Sequence, residues 1–144
     1  MHKKNAMWFR PYSLSEVSNM NNTNMLAHVG LELTEIGPDY LMGRMPVDHR
    51  TKQTFGLFHG GASVVLAESL GSIAANMVVN PQTHYAVGLE VNCNHLSSAR
   101  GGWVMGIAKP IRIGRTTQVW EIRMSGDNGE LTAISRLTMA VLQH

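Results

Sequence analysis

Residues 60–79 place the strongest constraint on what this 144-residue chain can fold into. Val64, Val65, Leu66, Leu70, Ile73, Ala74, Met77 and Val78 leave a helix here with little polar surface, and Ala62, Ala67, Ala74 and Ala75 keep it thin. A helix that is apolar all round has to be covered by other elements. It opens on Gly60-Gly61 after His59, where glycines let a ligand approach unpaired backbone N–H groups and the helix dipole favours negative charge. Asn80-Pro81 ends it. One carboxylate, Glu68, stands in this apolar wall, where burial and neighbours can tune it as a base or nucleophile. An oxyanion-type site together with a carboxylate suggests acyl transfer.

The segments around the helix read as strands. Leu31, Leu33 and Glu35 alternate with Glu32 and Thr34, and Gly37-Pro38-Asp39 turns the chain into a second strand over Tyr40 to Val47. Asp48 to Phe58 reads as a loop. After the helix come strands around Val87 to Asn94, Gly102 to Ala108, Thr117 to Met124 and Leu131 to Leu142, with a turn at Gly126-Asp127-Asn128-Gly129. Their short connections favour antiparallel pairing. Upstream, Ser13 with Glu16 three residues on caps a short helix over Ser13 to Met20, and Asn19 to Asn24 reads as a turn. The expected α+β fold is one domain over residues 1–144: a curved antiparallel sheet wrapped around a long central helix, with residues 1–25 as an N-terminal extension. One such layer leaves the helix partly uncovered, so a dimer is expected.

Composition narrows the function. A net charge of +2 and no dense basic run give no support to nucleic-acid binding. The lone Cys93 excludes an internal disulfide framework and a thiolate zinc site, and its alternating neighbourhood reads as a buried structural thiol. The scattered histidines offer no pair at ligand spacing beside a carboxylate, so no metal is expected. No apolar run approaches the ~20 residues of a membrane span, and the basic start lacks the apolar core of a signal peptide. No membrane partner and a cytoplasmic location are therefore the expectations. Trp103 and Trp120 read as packing on the sheet, and Lys109 to Arg115 as a basic turn.

Gln53-Thr-Phe-Gly-Leu-Phe-His-Gly-Gly followed by Ala67-Glu68-Ser69, in this strand order, resembles the hotdog-fold acyl-CoA thioesterases. The likeness is to the branch with the phenylacetate-pathway and 4-hydroxybenzoyl-CoA thioesterases. Met45-Pro46-Val47-Asp48, Gly88-Leu89-Glu90 with Asn94-His95, and Gln118-Val119-Trp120 extend it over about Leu26 to Leu142; the first two dozen residues add nothing. The resemblance implies hydrolysis of an acyl-CoA, with an aromatic acyl group preferred and broad acyl-CoA activity as the wider alternative. It implies the Gly60 N–H as oxyanion donor, Gln53 and His59 around the carbonyl, Glu68 as base or nucleophile, and Ser72 as its polar neighbour. Coenzyme A contacts fall at Gly88 and Leu89 and around His95, Ser97, Ser98 and Arg100. Relatives tend to carry a basic residue where this chain has Ser97, which leaves Arg100, then Arg112 or Arg115, for the phosphates. No cofactor is implied beyond the coenzyme A of the substrate, and the assembly implied is a homotetramer of two dimers.

Geometry points to a shared site independently. At 1.5 Å per residue, Glu68 lies ~12 Å along the axis from Gly60, too far for both to engage one carbonyl. If the two act on one thioester they come from different subunits. Two rivals stand beside this reading: a non-catalytic acyl-CoA-binding protein, which needs no carboxylate opposite an oxyanion donor, and a dehydratase, whose Asp-His arrangement this chain lacks.

Overall fold

The computed structural model describes residues 6–144; the first five residues of the basic start, one of the scattered histidines among them, lie outside the described residues. Two short helices, α1 (Leu14–Asn19) and α2 (Met25–His28), precede β1 (Glu32–Ile36) and β2 (Leu41–Pro46). The long helix α3 (Gly60–Val78) follows, and then β3 (His84–His95), β4 (Trp103–Ile113), β5 (Thr117–Gly126) and β6 (Leu131–Gln143). The six strands make one antiparallel sheet in the order β1-β2-β4-β5-β6-β3, so β3 is an edge strand. Ser13 caps α1 as expected, its hydroxyl accepting the Glu16 N–H at 3.2 Å.

The sheet wraps α3, which packs on β2 through β6. Leu66, Ala67, Leu70, Ala74 and Ala75 are fully buried against Leu41, Met45, Val104, Trp120, Ile122 and Leu137. The fit is made by small residues. Gly43 and Gly106 are a cross-strand pair, and Leu70 fills the dent they leave: a Cβ on either would stand 2.7 Å from a Leu70 methyl. Buried Gln118 ties helix to sheet, donating to the Ala75 carbonyl at 3.4 Å and accepting from Trp120 Nε1 at 2.9 Å. By length and composition α3 is apolar enough to cross a membrane, which corrects the sequence reading; its apolar sides are the core of the wrapped sheet.

Other expectations need correction. The resemblance was drawn from Leu26 onward, yet the preceding segment is built into the fold. Phe9 donates to the Met77 carbonyl at 2.9 Å, satisfying a last-turn acceptor of α3, and Trp8 Nε1 donates to the Gly37 carbonyl at 2.7 Å. The amide-rich stretch leads into α2, capped by Asn24 through the Leu26 N–H. Lys109 to Ile113 is strand, not turn: a bulge between Pro110 and Arg112 accommodates the proline, and β4 runs to Ile113. Cys93 is half-buried, because β3 is the last strand and has no neighbour on its outer side. Trp120 is buried, while the Trp103 ring lies under Arg44 at 3.9 Å.

Candidate active site

The start of α3 is held by its cap. His59 takes the Gly61 N–H on Nδ1 at 2.8 Å, and its carbonyl accepts from Ala62 at 2.9 Å and Ser63 at 3.2 Å. Among the described hydrogen bonds, the Gly60 N–H is left without a partner. With Nδ1 accepting, the neutral His59 ring carries its proton on Nε2. That ring lines a cavity with Arg50 and Lys52, apart from the cavity beside Gly60. The histidine on Gly60 is His95, whose Nε2 would stand 3.1 Å from a Cβ at that position.

A cavity of about 180 Å³ gathers Gln53, Gly60, His95, Ser97 and Ser98, five of the residues singled out from sequence, with Ser63 and Thr132. The loop before α3 aims Gln53 into it. Thr51 accepts the His59 N–H at 2.8 Å, Gln53 donates to the Leu57 carbonyl at 2.8 Å, and Phe58 donates to Ala99 at 2.8 Å. The Gln53 side-chain oxygen accepts the Phe55 N–H and, at 3.5 Å, that of Leu57, leaving its NH₂ to donate elsewhere. Asp48 anchors the loop; the Arg50 guanidinium beside it holds its carboxyl down at about 2.

Glu68 sits two turns along α3, outside that cavity, with its carboxylate against β3. A Cβ on Gly88 would stand 2.5 Å from Glu68 Oε1, so the strand can approach only as glycine. Burial pushes the Glu68 carboxyl up, and no described hydrogen bond or ion pair opposes it. Ser72, one turn on, makes no described hydrogen bond to Glu68. It lines a second cavity of about 390 Å³ between α1 and α3, with Tyr12, Val17, Ile73, Asn76 and Met77. Leu89 is exposed on the bulge after Gly88. Ser97 donates its hydroxyl to the Leu131 carbonyl at 2.9 Å, so it braces the strand end. Arg100 lines a third cavity that also holds Asp127 and Glu130. The described residues contain no group of three or more His, Cys, Asp and Glu side chains placed to hold a metal ion.

One chain thus carries an unpaired N–H with an amide donor at one end of α3, and a half-buried carboxylate further along, one turn before Ser72 of the second cavity. The first suits a developing oxyanion and the second suits a base or nucleophile. Sequence reasoning missed Asn76 and the cavity wall from the N-terminal segment. Asn76 had a signal, a lone amide two turns after Glu68 on an apolar helix.

Comparison with known proteins identifies the family. The profile of the Thioesterase superfamily matches residues 55–133. The 1,4-dihydroxy-2-naphthoyl-CoA hydrolase of Escherichia coli is 46% identical over 136 residues, covering 94% of this chain and 99% of that protein. The match therefore takes in most of the segment before Leu26. A solved mutant thioesterase of Pseudomonas aeruginosa superposes with a TM-score of 0.94 at 46% identity, over 96% of this chain and 99% of that one. A Staphylococcus aureus thioesterase has been solved as two variants, one with a glutamine and one with a glutamate replaced by alanine. Their TM-scores are 0.80 and 0.81 at 32% and 31% identity, covering 83% and 84% of this chain and 98% and 100% of theirs. With its central helix wrapped by one antiparallel sheet, this chain belongs to the thioesterase superfamily and is a thioesterase of the hotdog fold.

Proposed function

We propose that the protein hydrolyses acyl-CoA thioesters, preferring an aromatic acyl group, in sites shared by two copies of the chain. The observation that carries this is the pairing of an unpartnered Gly60 N–H with a Glu68 carboxylate ~12 Å away on the same helix. The thioester carbonyl lies against Gly60 and the Gln53 amide of one copy, and Glu68 of the other copy faces its carbon. The two residues replaced in the Staphylococcus aureus relative are a glutamine and a glutamate fifteen positions apart, the separation of Gln53 and Glu68 here, which supports this pair.

Two routes fit the same groups. In one, Glu68 takes a proton from water as the water oxygen bonds to the carbonyl carbon. In the other, the carboxylate itself attacks, giving an anhydride that water then opens. Either way the carbonyl π electrons move to oxygen, where Gly60 and Gln53 donate hydrogen bonds, and collapse expels the coenzyme A thiolate, which takes up a proton. His59 positions the helix start through its cap. The acyl group extends past Ser72 into the 390 Å³ cavity, which has the size and apolar lining of a small-molecule site. No metal or resident cofactor enters these steps. A cytoplasmic location and a tetramer of two such dimers belong to the same reading. A screen of aroyl-, short-chain and long-chain CoA thioesters for thiol release tests it; no release from any would favour the acyl-CoA-binding alternative.

The nucleotide lies beyond His95, toward Ser98 and Arg100. Arg100→Ala should raise KM about tenfold or more while kcat changes little, because phosphate contacts act through binding. Salt should shrink the difference. Acyl-pantetheine, which lacks the nucleotide, should be hydrolysed equally by both forms. An equal loss on both substrates would make Arg100 a brace for the cavity it shares with Asp127 and Glu130.

A further inference from the structure

β3 is an edge strand, yet part of its outer edge is already occupied from within. Asn76 Oδ1 accepts the Ala86 N–H at 2.8 Å, and its Nδ2 donates to the Ala86 carbonyl at 3.0 Å and to the Ser72 carbonyl at 2.9 Å. Ala86 is paired in register with Val141, whose own N–H goes to Thr116 on the far side. Ala86 and Val141 are therefore a non-hydrogen-bonded pair, and the N–H and C=O of Ala86 point to the free edge. Asn76 satisfies them both, as a one-residue substitute for a neighbouring strand.

By the same alternation, and allowing for the bulge between Gly88 and Glu90, Gly88, Val91, Cys93 and His95 also turn their backbone groups outward. These have no internal substitute among the described hydrogen bonds. An edge of this kind is a template for a second strand. The shared site selects how that strand lies. His95 rests on Gly60, and Gly88 rests on Glu68. Bringing Gly60 of one copy and Glu68 of the other to one carbonyl sets His95 opposite the Gly88 bulge. A two-fold antiparallel pairing then puts Val91 opposite Cys93, with the axis at Asn92. The next rung would set Ala86 opposite Ser97. Ser97 cannot supply it, since its N–H goes to the Thr132 carbonyl at 3.3 Å.

We propose that Asn76 is a positioning residue of the shared site: it completes the β3 edge at Ala86, where pairing with the second copy stops. This inference rests on the shared-site reading above. By pinning β3 to α3 beside the acyl cavity, Asn76 holds Gly88 against Glu68 and keeps the cavity mouth free of a paired strand.

Asn76→Leu, close in size but unable to hydrogen-bond, tests the role. Amide hydrogen exchange should speed at least about tenfold at Ala86, while Val91, Cys93 and His95 stay protected. On an aroyl-CoA, kcat per folded dimer should fall about tenfold or more, with KM changed far less, as displacement of a reacting group does. Retained protection at Ala86 would mean that a partner strand covers it, and would overturn the proposal. So would wild-type kcat per folded dimer, which leaves Asn76 a purely structural tie. A second variant reads the register: Asn92→Cys with Cys93→Ser should cross-link to a covalent dimer under mild oxidation, since a non-hydrogen-bonded pair brings Cα atoms to about 4.5 Å. Failure to cross-link while the protein is dimeric would overturn the register and the proposed end of pairing. If the wild type releases thiol from no acyl-CoA, the functional reading fails, and exchange and cross-linking still decide the edge.

Discussion

Glu68→Gln should fold, dimerise and bind acyl-CoA, and should lose about two or more orders of magnitude in kcat. That is the usual scale for a general base or nucleophile. The amide has the shape of the carboxylate but can neither take a proton from water nor attack. Burial pushes the Glu68 carboxyl up, so the acid limb of kcat should lie above the ordinary glutamate range near ~4.3. The stability effect has the opposite sense. A carboxyl whose pKa is raised by folding binds protons more tightly in the native state, so stability falls as pH rises from its unfolded-state value through the raised one and is lowest above it. At neutral pH, Glu68→Gln should be at least as stable as the wild type, and the difference should vanish in acid. Thermal melts across pH beside steady-state kinetics check both. Near-normal turnover by the variant would remove Glu68 from the chemistry.

Gly60→Val should lose activity on a similar scale, roughly 100-fold in kcat/KM or more, by another route. The N–H survives, but a Cβ at this position stands 3.1 Å from His95 Nε2 and fills the approach of the carbonyl. Displacing the oxyanion from one backbone donor costs about as much as removing that donor. A transition-state-like oxyanion ligand should weaken more than an acyl-CoA ground-state analogue. Equal weakening of the two would mean that Gly60 only makes room for substrate.

Which of this was legible in the sequence follows the physics. The central helix was visible because an apolar sequence broken only by small residues, one glutamate and one asparagine has a single economical use, and its start was marked by His59-Gly60-Gly61. Short connections gave the antiparallel pairs β1-β2, β4-β5 and β5-β6, but not β3, which lies a short loop before β4 yet pairs with β6. Gln53, Gly60 and His95 share a cavity because the loop and the end of β3 converge on the helix start, and the motif spacing carried that information. His59 was drawn toward the carbonyl by its place in the motif, but its Nδ1 is used by Gly61 and its ring faces the Arg50 side. The β3 edge was not legible: strand order depends on long-range pairing, so neither the half-exposure of Cys93 nor the office of Asn76 could be read from local alternation. Pro110 suggested a turn because local rules cannot see the bulge that admits it.

The central claim is that each site joins Gly60 of one copy to Glu68 of the other. Mixing Glu68→Gln chains with Gly60→Val chains, unfolding and refolding them together, tests it directly. Random pairing makes half the dimers mixed, and each mixed dimer regains one site with both groups intact, so activity should return to about a quarter of wild type per chain. Refolding either variant alone should restore none. Mixed dimers shown by mass to form, yet no more active than the parents, would place each site within a single chain and contradict the account.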